Sequence, residues 1–318
     1  MGEFELIERY FTRPVSRNVL GVGDDCALLA PAAGMHLAVS CDMLIDGRHF
    51  LAITDPRKLG HKSLAVNLSD LAACGARPLA FTLALALPQA DDAWLAPFAA
   101  GLFALADEHG CELVGGDTTR GPLNICITVF GEVLAAAALL RSGARAGDDI
   151  YVSGTLGDAR LALDAFRGTV SLPQPVFEAA RARLEQPAPR VALGLALRGV
   201  AGAAIDVSDG LAGDLGHILQ QSCVGARVEA GALLPLLAAP ADVVTGDRRL
   251  HYVLAGGDDY ELAFTAPAHR RAAVAAAANT AGVPVTRIGR IESEPGLRVV
   301  DARGQPVPQH FASFDHFG

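Results

Sequence analysis

Segments of strand length that run into glycine- and aspartate-rich loops recur through both halves of this chain, with helical stretches between them. A chain that alternates between a period of two and a period of 3.6 residues buries its apolar faces by packing helices on sheets. The expected class is therefore mixed α/β. In the first half, 36–40, 80–87, 111–114 and 123–133 read as strands, the first delivering Cys41 and Asp42 at its end. Residues 3–11 read as a short amphipathic helix. Asp55-Pro56 has the form of a helix start, an N-cap carboxylate with proline at the first helical position. Leu64, Leu68 and Leu71 keep helical spacing after it, and Gly75 is a suitable stop. A second helix opens at Asp91-Asp92 and ends near Gly110.

The connection 141–148, which carries glycine and arginine, marks the boundary between two domains, 1–140 and 141–318. A length of 318 residues suits two ordinary domains. Beyond the boundary, strands are expected at 149–153, 203–206, 261–265 and 285–291. Helices are expected at 176–185, 191–198, 211–221 and 269–281.

The formal net charge of −9 argues against a sequence-independent grip on nucleic acid and against docking on anionic lipid, both of which need a basic surface. It is compatible with binding divalent cations, and equally with simple solubility. The six cysteines are spread without a Cys-x-x-Cys pair, as free thiols of a reducing compartment are. The acidic opening, Met1-Gly2-Glu3-Phe4-Glu5, lacks the basic start of a secretory signal. The longest apolar runs, such as 133–140, fall far short of the roughly 20 residues that span a bilayer. A soluble cytoplasmic protein is expected.

The carboxylate loops carry the chemical signal. They are Gly21-Val22-Gly23-Asp24-Asp25, Ser40-Cys41-Asp42, Gly115-Gly116-Asp117-Thr118-Thr119-Arg120, Asp206-Val207-Ser208-Asp209-Gly210 and Gly256-Gly257-Asp258-Asp259-Tyr260. Taken singly, each has an ordinary explanation, because aspartate beside glycine is turn and cap chemistry. Asp209-Gly210 could merely cap the helix that follows.

Asp70 differs, since it falls near the buried edge of an apolar helix. The positions three and four residues away are Val66, Asn67, Ala73 and Cys74, none of them basic. It is either a partly exposed helix-edge carboxylate or a metal ligand. Converging aspartates repel unless cations lie between them, and oxygen donors without a thiolate or histidine set point to magnesium. The dense Asp-x-Asp-x-Asp-Gly pattern of a calcium loop is missing. A P-loop, a completed Gly-x-Gly-x-x-Gly, the protein-kinase signatures, His-Glu-x-x-His and Gly-x-Ser-x-Gly are missing as well.

Seven strings, in order along the whole chain, resemble the thiamine-monophosphate kinase family. They are residues 21–27, Ala65-Val66-Asn67-Leu68-Ser69-Asp70-Leu71-Ala72-Ala73, Val114-Gly115-Gly116-Asp117-Thr118-Thr119-Arg120-Gly121, Arg141-Ser142-Gly143-Ala144, Ile205-Asp206-Val207-Ser208-Asp209-Gly210-Leu211, Gly256-Gly257-Asp258-Asp259-Tyr260-Glu261-Leu262 and Phe314-Asp315-His316-Phe317. The resemblance implies the two-domain fold of aminoimidazole ribonucleotide synthetases. Its N-terminal domain pairs with its copy in a homodimer, and ATP lies between the domains. Several magnesium ions bridge ATP to aspartates, and thiamine monophosphate is the acceptor.

Carried over by motif, Asp25, Ser40, Cys41, Asp42, Asp70, Asp117, Asp206 and Asp209 are the implied metal ligands. His109, Gly116, Asp117, Arg141 and Ser208 are the implied ATP contacts, and His49, Asp258 and Phe314 hold the thiamine phosphate. Asp42, Asp117, Arg141 and Asp209 would bear most directly on the reaction. The family commonly has a hydroxyl residue at Cys41, so a ligand there would act through its backbone carbonyl or be lost. It tends to have tyrosine at His109, a position that can face adenine.

The implied reaction is direct in-line transfer of the γ-phosphoryl group, with the acceptor phosphate as its own nucleophile. Rivals are another enzyme of the superfamily, or a non-catalytic nucleotide-binding protein that keeps the fold. A selenide-dependent member would carry a reactive cysteine near its start, and residues 1–19 contain none.

Overall fold

Asp55 opens the first long helix as its sequence demands: Oδ1 accepts the amides of Arg57 at 2.9 Å and Lys58 at 3.2 Å. The computed structural model describes residues 2–23, 25–308 and 311. Asp24, Phe314 and the string ending at Phe317 lie outside them. Two compact units emerge, Met1–Leu71 with Ala76–Ala136, and Ala72–Gly75 with Ala137–Gly318.

The first unit runs α1 (Glu3–Tyr10), β1 (His36–Ile45), α2 (Pro56–Ala73), β2 (Arg77–Leu87), α3 (Asp92–His109), β3 (Glu112–Arg120) and β4 (Asn124–Val133). Its sheet has the order β1-β4-β2-β3, antiparallel except for the β2–β3 pair. One face is the core: Phe81, Leu83 and Leu85 of β2 and Ile125, Ile127 and Val129 of β4 are buried, as are Leu64, Leu68 and Leu71 of α2 and Leu95, Phe98 and Leu102 of α3. Alternation along β1 sends Leu37, Val39, Met43 and Ile45 to the opposite face, where they are exposed. Asp91 caps α3 by accepting the amide of Ala93, and Gly110 ends it in the left-handed conformation.

Two strands differ from expectation. β1 continues five residues past Ser40, because Met43, Leu44 and Ile45 keep the alternation and pair with Asn124–Cys126. β3 runs through Gly115-Gly116-Asp117-Thr118-Thr119-Arg120, which sequence placed in a loop after the strand. β2 supplies a partner for every residue from Gly115 to Arg120, so Asp117 sits in mid-strand.

The second unit runs β5 (Asp149–Ser153), α4 (Asp158–Phe166), α5 (Gln174–Glu185), α6 (Val191–Ala196), β6 (Ala203–Val207), α7 (Leu211–Ser222), β7 (Gly225–Glu229), α8 (Ala230–Leu233), α9 (Gly246–Ala255), β8 (Glu261–Ala266), α10 (Arg271–Ala281), β9 (Val285–Glu292) and β10 (Gly296–Val300). Its six-stranded sheet has the order β10-β7-β9-β5-β8-β6. Every residue of β5, β6 and β8 is buried, so this half of the sheet is covered on both faces. Burial alternates along β7 and β9, which leave one face to solvent. Among the described residues, no helix is long and apolar enough to cross a membrane.

Candidate active site

In the first unit, the site is built where α2 passes over β1. Ser40 and Asp42, two apart on a strand, lie on the same face, and Asn67 and Asp70, three apart on a helix, lie on one side of α2. Ser40 Oγ donates to Asp70 Oδ2 at 2.5 Å, and the amide of Asp42 donates to Asn67 Oδ1 at 3.1 Å. Asn67 is itself fixed by a bond from Nδ2 to the carbonyl of Ser63 at 3.0 Å. Asp70 is thus a half-buried carboxylate held by a hydroxyl of the adjoining strand.

Cys41 points the other way. Its Sγ lies 3.5 Å from Cys126 Sγ and accepts from Thr128 Oγ1 at 3.4 Å, on the opposite face of β1 from Ser40 and Asp42. Burial and the Cys41 sulfur push the Cys126 thiol up to about 11. Only the Cys41 backbone is left on the side of its neighbours.

Asp25, Gly116 and Asp117 line one cavity of about 870 Å³ in the first unit, together with Gly23, Gly115 and Thr82. Gly116 has φ +145°, and a Cβ there would stand 1.9 Å from the Leu83 carbonyl. No other residue fits, and its bare backbone faces the cavity. Among the described residues, no three His, Cys, Asp or Glu side chains converge closely enough to hold an ion by themselves. Magnesium is bound by one or two carboxylates completed by water and phosphate oxygens, so this hard-oxygen set fits it.

His49 sits in the turn after β1, where its Nδ1 accepts the amide of Ile45 at 3.0 Å. With Nδ1 occupied, the neutral ring carries its proton on Nε2. His109 is the last residue of α3. Burial, aided by nearby His61 and opposed by Glu108, lowers its pKa, so its ring is neutral at pH 7.

In the second unit, Asp206 is buried at the end of β6, and Ser208 and Asp209 form the turn into α7. The helix is not capped by Asp209. Its N-cap is Gly210, and Asp214 in the first turn reaches back to accept the amides of Ser208, Asp209 and Gly210 at 3.1, 3.1 and 3.0 Å. Burial and the charge of Asp209 push Asp214 up to about 7 against those three bonds.

A second loop lies against this turn. The amides of Asp258 and Tyr260 donate to the carbonyls of Ser208 and Val207, both at 2.8 Å. A Cβ on Gly257 would approach the Ser208 carbonyl to 2.5 Å. Asp258 and Tyr260 hold φ values of 65° and 52°, unusual outside glycine, and the Tyr260 hydroxyl donates to Asp258 Oδ1 at 3.2 Å.

Beneath the loop, Glu261 is fully buried. It accepts from Ser153 Oγ at 2.6 Å, Arg183 Nη2 at 2.6 Å, and Arg190 Nε and Nη2 at 2.6 and 2.5 Å. Asp259 is also fully buried; it accepts the amide of Gly157 at 2.7 Å, and burial raises its pKa strongly.

Arg141 lies in an exposed turn whose backbone is pinned by Ser222: its hydroxyl bonds the Arg141 carbonyl and the amides of Gly143 and Ala144, all at 3.1 Å. Sequence reasoning did not single out Asn67, Asp214, Ser222 or the Glu261 cluster as parts of the site. Asn67 and Glu261 lie inside the quoted strings, and Asp214 five residues past Asp209; only for Asn67, a buried polar residue three positions before Asp70 on α2, did helical spacing offer a signal.

Residues 23–133 match the model "AIR synthase related protein, N-terminal domain", and residues 145–302 match "AIR synthase related protein, C-terminal domain". Thiamine-monophosphate kinase of Salmonella typhimurium is 46% identical over 321 residues, which cover 99% of this chain and 98% of that protein. The chain belongs to the thiamine-monophosphate kinase family.

Among solved structures, the family member from Stenotrophomonas maltophilia K279a has 46% identity and a TM-score of 0.84 over 96% of both chains. AaThiL complexed with AMPPCP and TMP has 27% identity and a TM-score of 0.78, over 99% of this chain and 96% of that one. The family's mixed α/β fold with two synthetase-related domains is the fold described above.

Proposed function

We propose that this chain is a thiamine-phosphate kinase, which transfers the γ-phosphoryl group of ATP to thiamine monophosphate and forms thiamine diphosphate. The observation that carries this reading is the likeness, over 99% of the chain, to a protein solved with an ATP analogue and TMP. Near-full-length identity of 46% to curated kinases supports it.

The N-terminal domain, taken as 1–140, would supply Asp25, Ser40, Asp42, Asp70 and Asp117 as oxygen ligands for magnesium, with Cys41 acting through its carbonyl. The C-terminal domain, 141–318, would supply Asp206 and Asp209. Bound magnesium would draw charge off the phosphates. The bare backbone at Gly116 lets a phosphate approach closely, and Asp117 lines the same cavity. Arg141 and Ser208 would contact ATP phosphate, and the neutral ring of His109 would lie against adenine. His49, with its proton on Nε2, would donate to the thiamine phosphate; Asp258 and Phe314 complete that subsite.

No protein base is required. The second pKa of a phosphate monoester is about 6, so the acceptor is largely dianionic at neutral pH. The barrier is the approach of one anion to another. Fixed cationic and amide donors reduce that repulsion and hold the reacting oxygens in line. Asp42, Asp117, Arg141 and Asp209 bear most directly on this step.

We read the protein as a cytoplasmic homodimer. The described cysteines are all free, which suits a reducing compartment. The outer face of the first unit's sheet carries Val39 at 59% exposure and Met43 at 50%, flanked by Leu37 and Ile45. Such a contiguous apolar strand face suits a self-complementary contact. The test of the function is purified protein with ATP, magnesium and thiamine monophosphate, with thiamine diphosphate as the measured product. Tight ATP binding with no product would instead identify a non-catalytic binder, and a covalent phosphoprotein on the path would rule out direct transfer.

A further inference from the structure

The open face of the second unit's sheet gathers arginines that the kinase reaction does not use. β7 and β9 are antiparallel, and Arg227 stands directly opposite Arg290. Paired residues share a face with their Cβ atoms about 5 Å apart, and like charges in that relation are destabilising. Asp149 of β5 is the partner of Arg290 on its other side.

A bulge in β9 adds a third cation. Ile150 pairs with Gly289 and Tyr151 with Arg287, so Ile288 is skipped, and Arg287 reaches the same face as Arg290 although three residues away. With Arg271, the first residue of α10, these side chains line one cavity of about 470 Å³. That volume falls in the range of small-molecule sites, about 300–1,000 Å³. Four guanidiniums face two carboxylates, Asp149 and Glu229, a net of +2 in a chain whose formal charge is −9.

The arginines divide into two pairs. Arg271 is a fork on Asp149, with Nε at 2.6 Å and Nη2 at 2.9 Å, and Arg287 Nη1 joins it at 3.2 Å. That carboxylate is consumed in holding these two. Arg227 has no side-chain hydrogen bond or ion pair among the described residues. Arg290 has one ion pair, to Glu292 at 3.8 Å, beyond hydrogen-bond distance.

We propose that Arg227 and Arg290, positioned beside the Arg271–Asp149–Arg287 group, form a binding site for a phosphate- or diphosphate-bearing small molecule. Two side-by-side guanidiniums match the charge of about −1.5 to −2 on a phosphate at pH 7, and their planar forks suit its oxygens. A monocarboxylate would neutralise only one of them. The site is separate from the Asp206–Gly210 turn: β9 lies three strands from β6 in the sheet, about 14 Å at the usual spacing.

The test uses the full chain and inorganic pyrophosphate as the probe. Calorimetry on the wild type and on R227Q/R290Q is compared at low ionic strength, since the catalytic site can take the same probe. The wild type should bind one more equivalent than the variant, or bind it at least tenfold more tightly, while turnover at saturating substrates stays the same. Identical stoichiometry and affinity in the two proteins would overturn the proposal.

A second measurement needs no variant. Phenylglyoxal modification of Arg227 and Arg290, read by peptide mass spectrometry, should slow severalfold with pyrophosphate and not with sodium chloride of equal ionic strength. Equal slowing by both salts would show ionic screening alone and would also overturn the site.

Discussion

The Asp42 face of the first unit and the Asp209 turn of the second offer the same oxygen chemistry but hold it differently. In the first, a ten-residue strand and an eighteen-residue helix present the groups. Their backbones are satisfied by ladder and helix, so Ser40–Asp70 and Asn67–Asp42 need only orient side chains. In the second, a turn presents them, against a loop in which Asp258 and Tyr260 hold positive φ. Neither segment has a ladder of its own. Their shapes rest on Asp214, which gathers three amides, and on Glu261, which anchors two arginines under the loop. A site on regular elements loses function when a group is removed; a site on propped turns also loses its shape.

The largest expected effect belongs to the first kind. Asp42→Asn keeps the backbone amide that Asn67 accepts, so the fold should survive with a melting temperature within about 2 °C of wild type. Turnover should fall about 10³-fold or more, roughly 4 kcal/mol of transition-state stabilisation. Near-normal turnover in the assay for thiamine diphosphate would undo the role given to Asp42.

Glu261→Ala tests the second kind. Glu261 has 0% exposure, and its loss takes from the partly buried Arg183 and Arg190 the carboxylate they share. Breaking such a group costs about 3–5 kcal/mol. Urea unfolding should show that loss, and the Michaelis constant for thiamine monophosphate should rise as the 256–260 loop loosens. A cost below 1 kcal/mol would mean the loop keeps its shape without the anchor.

Asp214→Ala should cost less, about 2–3 kcal/mol, because it leaves three amides without their acceptor in a partly wet turn. The Michaelis constant for ATP should rise more than that for thiamine monophosphate, since Ser208 and Asp209 are displaced first. Ser40→Ala is the control on the regular face, with a stability change of about 1 kcal/mol. Equal stability losses in the two variants would remove the distinction between the regions.

How far sequence could foresee this follows the same division. Asp55-Pro56, the Leu64–Leu68–Leu71 spacing and Asp91 announced α2 and α3, because caps and helical periods are local. The motif aspartates were legible for the same reason. The extension of β3 through Asp117 was not, since two glycines in a row suit a loop until β2 supplies a partner for each residue. α9, with Gly-Asp-Arg-Arg in its first turn, was missed, and so were β7 and β10, whose Arg227 and Arg298 interrupt short apolar runs. Those arginines belong to an open sheet face, and a strand pattern cannot reveal which face a neighbour leaves uncovered. Glu261 reads as a polar residue at a strand start; that it is an anchor depends on Arg183 and Arg190, more than seventy residues earlier.

A further modest effect is expected at a place where the first unit uses the second unit's device. Glu112, at the start of β3, collects the Ser16 hydroxyl, the amides of Ser16, Arg17 and Asn18, and the Asn18 side chain. It shapes the segment leading into the Asp25 loop as Asp214 shapes the turn before α7. Partial burial pushes its pKa up, but the hydrogen bonds outweigh it and bring the group down to about 2. A carboxylate whose folded pKa lies below its unfolded value, about 4.3, stabilises the fold fully above that value. The contribution is lost as pH falls from there towards 2. With the group partly open to solvent, the contribution at pH 7 should be about 1–2 kcal/mol. Glu112→Gln should therefore unfold at lower urea than wild type at pH 7, and the gap should narrow between pH 5 and pH 3 as the wild type loses the same interactions. A gap that stays constant across that range would show that Glu112 acts through shape and not charge.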